Sequence, residues 1–269
     1  METQSSNIYN VGLALSGGGA RGFVHMGVLK ALEERGIKPQ IISGVSAGSV
    51  VAVLYASGVP FDDFISACEK ASFSDLVDII VPKMGFFKMD KFKKLLKRFI
   101  PYENIEDLPI PLHIVATDID HGKTHVFKSG SIIERVSASC SMPIVFNPVK
   151  IEGVNYVDGG VLRNLPAWTI RKECKHLIGV NCSPFVNYKF TPTIIEVAMR
   201  SYQLMSKVNT VHDMRMCDTL VIASGIANHK TFDLKSIREV IQYGYDITCR
   251  VLDKKDDFNI EKSEALLTQ

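Results

Sequence analysis

The stretch VGLALSGGGARGFVHMGVLKALEERGIKPQIISGVSAG, Val11 to Gly48, constrains this chain more than any other. Val11 to Leu15 is a short apolar run that ends in glycines, which predicts a strand entering a tight turn. The spacing predicts a helix over 21–35, with Val24, Val28, Ala31 and Leu32 on one face and Gly36 as its C-cap. Ile41 and Ile42 begin a second strand. Ala47 to Ala56 reads as a helix of small and apolar residues closed by Ser57-Gly58. A helix that is apolar nearly all round is a buried one. Strand, helix, strand, helix at this spacing argues an α/β fold, with a parallel sheet flanked by helices.

The rest of the chain extends the same plan. Val59 to Pro109 carries helical stretches (FDDFISACEKASF and MDKFKKLLKRFI) and no convincing strand, so it reads as a helical, cap-like insertion over about 59–109. LHIVATDID (Leu112 to Asp120) and THVFKSG (Thr124 to Gly130) resume the sheet. A helix is predicted around Ser131 to Cys140, a hairpin over Val149 to Gly160, and a buried strand at His176 to Ser183. A long helix from about Pro192 to Met214, a strand at TLVIAS and a helix over about 235–252 follow. No internal repeat or low-complexity linker is visible. The expectation is one domain over 11–255 between an N-terminal tail (1–10) and a C-terminal tail (256–269).

Composition narrows the function classes. The chain has 269 residues, 46% hydrophobic and 22% charged, which suits a globular protein with a sizeable core. A net charge of +2 gives no reason to expect a nucleic-acid partner. Cys68, Cys140, Cys174, Cys182, Cys217 and Cys249 are scattered, with no metal-ligand spacing, as expected of reduced thiols in a cytoplasmic protein. METQSSNIYN has no signal-peptide core, and no apolar run reaches the ~18 residues of a membrane span. A soluble protein is expected, with export by a route lacking a cleaved signal left open. Pro82 to Ile100 interleaves lysines with aromatic and aliphatic residues. The Lys83–Ile100 region therefore suits either peripheral contact with an anionic lipid surface or a basic face whose apolar side packs on the core. Its position also suits a lid.

Three short motifs carry chemistry. Gly44-Val45-Ser46-Ala47-Gly48 has the G-x-S-x-G spacing of a nucleophile elbow and falls where a buried strand meets a buried helix. SGGGARG (Ser16 to Gly22) also fits G-x-G-x-x-G through Gly17, Gly19 and Gly22, but Arg35 to Ser46 lacks the acid that would hold a nucleotide ribose. The same loop suits an oxyanion hole, where each backbone donor is worth roughly 3 kcal/mol of barrier. Asp158, in YVDGGVLRNLP, ends a predicted strand ahead of Gly159 and Gly160; alone, this is also an ordinary Asp-Gly turn. A base for Ser46 is less obvious. His25, His113, His121, His125, His176, His212 and His229 lie in no motif, and only His229 is a late loop histidine suited to a triad. Asp118 and Asp120 read as structural carboxylates rather than a calcium site.

Taken together, SGGGARG, GVSAG and VDGGVLRNLP resemble, in order and rough spacing, the patatin-like phospholipase family. ATDIDHGKTHVF and SASCSMPIVFNPVKIEGVNYVDGG add to the likeness, which runs from about Val11 to Ser183. The resemblance implies a three-layer fold and a serine–aspartate dyad without histidine. Ser46 would be the nucleophile, Asp158 the base, and the backbone of Gly18 and Gly19 the oxyanion donors. Gly17, Arg21 and Gly22 would support that loop, with Arg21 also facing a phosphate. Gly44 and Gly48 would shape the elbow, and Gly159 and Gly160 the aspartate turn. No metal or cofactor is implied. The expected activity is lipid acyl hydrolysis through an acyl-enzyme. An acyltransferase using the same intermediate and an idle lipid-binding module on the same fold are the alternatives. One departure is Ser16, where many members carry Asp or Gly.

Overall fold

The computed structural model describes residues 8–71, 75, 78–79, 85–187, 193–226, 229, 231 and 233–254. The first strand, β1 (Tyr9–Leu15), begins two residues ahead of the apolar run and leads through a tight turn at Gly19–Phe23 into α1 (Val24–Glu34). The turn takes the first residues predicted as helix, because the glycines break the regular ladder there. Then come β2 (Ile41–Val45), α2 (Ala47–Ala56) and α3 (Phe61–Glu69). The short strands β3 (Asp78–Ile79) and β4 (Gly85–Lys88) precede α4 (Asp90–Phe99). A hairpin of β5 (Leu112–Asp118) and β6 (Lys123–Phe127) is followed by α5 (Ile132–Ser139) and β7 (Ile144–Phe146). A second hairpin pairs β8 (Val149–Ile151) with β9 (Val154–Asp158). The chain closes with β10 (Cys174–Asn181), α6 (Ile194–Met214), β11 (Thr219–Ile222) and α7 (Ile237–Asp253).

Five parallel strands form the spine in the order β11-β10-β1-β2-β5, and β6, β8 and β9 join antiparallel at the β5 side. Alternation along β1 shows two covered faces. Leu13 and Leu15 enter the larger core with α1, α2 and α7, while Ala14 enters a smaller one with Leu165, Ile170 and Met214 of α6. The result is three layers with the sheet in the middle. Helices α1 and α7 cross so closely that a Cβ on Gly27 would strike the Ile241 backbone and one on Gly244 the Val24 backbone.

The insertion differs from the helical cap expected over about 59–109. Helices α3 and α4 are present, but β3 and β4 build a small sheet with β7, about 60 residues further along the chain. Such short strands exist only through that distant pairing. Helix α4 buries Leu96 and packs Phe92, Leu95 and Phe99 on the core, while Lys91, Lys94 and Lys97 are exposed. Its apolar side is thus an inner face; Lys83 and Met84 lie outside the described residues. The predicted C-terminal tail also lies outside them, and the strand expected from His176 begins two residues earlier, at Cys174, with His176 bonding Thr219 of β11.

Candidate functional site

Ser46 stands at the strand-to-helix corner with φ 51° and ψ −125°, a conformation side chains rarely adopt. The neighbouring glycines make the corner possible by close approach. A Cβ on Gly44 would lie 2.6 Å from Ser49 Cα, and one on Gly48 would collide with the Leu15 carbonyl. The corner is tied down through its backbone. The Ser46 N–H donates to Ser139 Oγ at 2.8 Å, and Ser139 Oγ donates to the Val115 carbonyl at 2.7 Å. The Ser46 carbonyl accepts from the N–H and hydroxyl of Ser49 at 2.8 and 2.6 Å.

Sheet register brings Asp158 to that corner. Strand β2 and the hairpin partner β6 lie on opposite edges of β5, since both pair with Ile114 and Val115. Strand β9 likewise lies opposite β6, since both pair with Ala116 to Asp118. So β2 and β9 share one edge of β5 and meet end to end. Val45 pairs with Val115, and Asp158 with the next residue, Ala116. The last residues of two strands 113 positions apart are therefore forced together.

Asp158 is fully buried. Its Oδ1 accepts from the Gly160 N–H at 2.8 Å and from the Tyr202 hydroxyl at 3.0 Å. Its Oδ2 is buried with no hydrogen-bond partner, and the Ser46 hydroxyl stands beside the carboxylate. Burial pushes the Asp158 carboxyl up from 3.8 to about 6, against the opposing pull of Ser46, Gly160 and Tyr202. Gly159 packs under the Val115 carbonyl. A Cβ on Gly160 would occupy the place of the Tyr202 hydroxyl, so the second glycine is what lets α6 reach the aspartate. Nothing in the sequence marked Tyr202. Asn209 and Asp213 on the same helix bond the Leu162 carbonyl and Arg163, docking α6 onto the aspartate turn.

The glycine loop lies opposite. The Gly17 N–H and carbonyl are both held by the Asn164 amide, at 3.1 and 3.2 Å, and the Ala20 N–H by the Thr231 carbonyl at 2.7 Å. Among the described residues, the N–H groups of Gly18 and Gly19 make no hydrogen bond. Gly22 packs on Ala47. Ser16, the departure noted above, accepts the Cys182 N–H on its hydroxyl at 3.0 Å and anchors the loop to the end of β10. Arg21 donates to the Gly18 carbonyl at 3.3 Å and to Ser183 Oγ at 2.9 Å, so its guanidinium braces the loop.

The histidines stand elsewhere. His25 is buried, with Nε2 2.8 Å from the Ser16 carbonyl; burial lowers its pKa to about 4, so it braces the loop as a neutral donor. His121 bonds Asp118, His125 packs at a steep angle against the Phe127 and Tyr156 rings, and His113 lies near Glu173. Asp120 accepts from Asn155. Among the described residues, no histidine lines either cavity at Ser46, and no three potential metal ligands cluster.

Two cavities meet at Ser46, Met142 and Thr231. One runs between α2, α3 and α4 and is walled by Phe23, Met26, Val50, Phe64, Leu95 and Phe146. The other runs under α6, between the glycine loop and Ser183 to Val186, and mixes apolar residues such as Met142, Phe185 and Met214 with the polar side chains of Asn164, Asn181, Gln203 and Lys207. A family model for patatin-like phospholipase matches residues 13–170, the segment that carries the elbow, the glycine loop and the aspartate turn. The chain belongs to the patatin-like phospholipase family. An uncharacterized NTE family protein of Mycobacterium tuberculosis (strain ATCC 25618 / H37Rv) is 34% identical over 168 residues, covering 62% of this chain and 47% of that protein. Lysophospholipase NTE1 of Kluyveromyces lactis is 29% identical over 269 residues, covering 87% of this chain and 18% of that protein. This patatin-like chain thus spans about half the length of the first and under a fifth of the second. Among solved structures, VipD from Legionella pneumophila aligns with a TM-score of 0.52 at 16% identity, over 92% of this chain and 67% of that one; the likeness is one of fold. No described helix of this family member is long and apolar enough to cross a membrane. Asn181, Ser183, Tyr202 and Lys207, which line the second cavity, lie beyond the matched segment.

Proposed function

We propose that this patatin-like chain hydrolyses carboxylic esters of lipids, through Ser46 as nucleophile and Asp158 as base. The observation that carries the reading is the buried, unengaged Asp158 Oδ2 beside a strained serine at the mouth of an apolar cavity. An apolar cavity next to a nucleophile suits an acyl chain. Family membership and similarity to a protein described as a lysophospholipase support a lipid ester as substrate.

Chemically, Asp158 takes the Ser46 proton as Oγ attacks the ester carbonyl. The carbonyl π pair moves to oxygen, where the free N–H groups of Gly18 and Gly19 are suited to hold the oxyanion. Collapse breaks the bond to the leaving alcohol, which takes the proton from Asp158 and leaves an acyl-serine. Asp158 then accepts a proton from water, which attacks the acyl-serine; the freed acid departs and Ser46 is reprotonated. The raised pKa makes Asp158 a stronger base than an ordinary carboxylate, with an activity limb expected near pH 6.

The test is labelling with a fluorophosphonate, with the adduct mapped by mass spectrometry, beside fatty-acid release from lysophospholipid micelles. The adduct is expected on Ser46. No adduct together with no fatty-acid release would reject the reading.

Tyr202→Phe offers a second check. Its hydroxyl stabilises the charged form of Asp158, so its loss raises the aspartate pKa further. The acid limb of kcat/KM is expected to move to higher pH, with a loss of about tenfold near pH 6.5 and less near pH 8.5. An unmoved limb would remove Tyr202 from the proton chemistry.

A further inference from the structure

The two cavities differ in charge. Among its described lining residues the apolar cavity has no Lys, Arg, Asp or Glu. Among its described lining residues the second cavity has Arg21 and Lys207 and no carboxylate. The rest of the lining combines neutral hydrogen-bonding side chains, among them Asn181, Gln203 and Ser206, with apolar ones such as Phe185, Val211 and Met214. Arg21 is 5% exposed and held by Gly18 and Ser183, so its positive charge is fixed in the wall. Lys207 is half-buried, forms no ion pair among the described residues, and lies with Nζ 4.7 Å from the centre of the Phe185 ring. The Arg200 guanidinium lies 3.9 Å from the same ring centre.

We infer, building on the lipid-ester reading above, that this cavity takes the phosphate-bearing headgroup of an anionic lysophospholipid and selects against choline. A phosphate held in this cavity by Arg21 and Lys207 meets two cations, while the Asp158 carboxylate is fully buried and outside the described lining, an arrangement that rewards negative charge. A quaternary ammonium needs an aromatic face or a carboxylate. The Phe185 ring already carries two cations of the protein, and the lining supplies no acid. A choline headgroup therefore brings a further positive charge into a site that already holds two. A glycerol or bare phosphate headgroup does not. Lys207 is the specificity-determining residue in this arrangement, and it lies beyond residues 13–170, where the family model matches.

The experiment uses the full chain and neutral detergent micelles, so that surface charge is constant. kcat/KM is measured for oleoyl-lysophosphatidylglycerol, oleoyl-lysophosphatidylcholine and oleoylglycerol. In parallel, calorimetry measures binding of the non-hydrolysable ether analogues of the two phospholipids. The anionic lipid is expected to exceed the choline lipid by about tenfold in both readouts, the scale of one charge-assisted contact. Lys207→Gln is expected to bring the ratio near one, Lys207→Glu to invert it, and Lys207→Arg to keep it. Equal or choline-favouring ratios in the wild type, or a ratio that Lys207→Gln and Lys207→Glu leave in place, would overturn the inference. The ether analogues keep the two readings apart. Selective binding without turnover of any ester would sink the hydrolase reading alone, while turnover without selectivity would sink only this one.

Discussion

Asp158→Asn is expected to abolish ester turnover and at the same time to make the protein more stable at neutral pH. The activity loss is on the order of 10⁴-fold, the scale seen when the carboxylate of a serine hydrolase is neutralised. Asparagine keeps the shape, and its Oδ1 still accepts from Gly160 and Tyr202. What disappears is the oxygen proposed to take the serine proton. The stability gain has the opposite origin. Burial holds the folded pKa near 6, above the ordinary 3.8. Between those values the native state binds a proton that the unfolded state has released, so stability falls as pH rises across the window and stays lower above it. Two pKa units correspond to about 3 kcal/mol, and some of that is lost to the changed contact with Ser46. Urea unfolding should give a gain of about 1–3 kcal/mol near pH 8 that shrinks near pH 4. Turnover within tenfold of wild type would remove Asp158 as the base. A variant less stable than wild type near pH 8 would show that the buried charge is compensated by something other than its three partners.

The sequence read alone located the parts of this site better than the links between them. Strand β2 and helix α2 were legible because their apolar runs end in glycines and small residues. The aspartate turn was legible because Asp-Gly-Gly follows alternating apolar positions. The links were silent because each spans a long stretch of chain. Asn164 holds Gly17 across 147 positions, and Tyr202 reaches Asp158 across 44. Neither residue departs from what its own segment would carry for local reasons. The small sheet was silent for a related cause. Strand β3 has two residues and β4 four, too few for periodicity to show, and β4 is defined by its pairing with β7. The basic segment was ambiguous between core and surface, and packing of Phe92, Leu95 and Phe99 is a property of their neighbours. Meeting of β2 and β9 on one edge of β5 is likewise a fact of register that no local pattern carries.

Ser46→Gly and Ser46→Ala should be equally inactive yet differ in stability. Both remove the proposed nucleophile, so a turnover loss of about 10⁶-fold is expected of each. Alanine keeps a Cβ at φ 51° and ψ −125°, where its clash with the backbone remains. Glycine adopts that region without strain. Relief of about 1–3 kcal/mol is opposed by the roughly 0.5–1 kcal/mol that glycine's freer unfolded chain costs. The glycine variant should therefore be more stable than the alanine variant by about 1 kcal/mol, read as a higher urea midpoint at unchanged slope. The cause is local, because the hydrogen bonds fixing this corner run through the Ser46 backbone to Ser139 and Ser49 and survive both substitutions. If alanine proves the more stable, the corner is unstrained in solution and its geometry is not what lifts the hydroxyl toward Asp158. If glycine wins, then strain at Ser46 and charge burial at Asp158 point the same way. The two positions proposed to do the chemistry are then both held, by the sheet and by α6, in states that a more stable sequence would abandon.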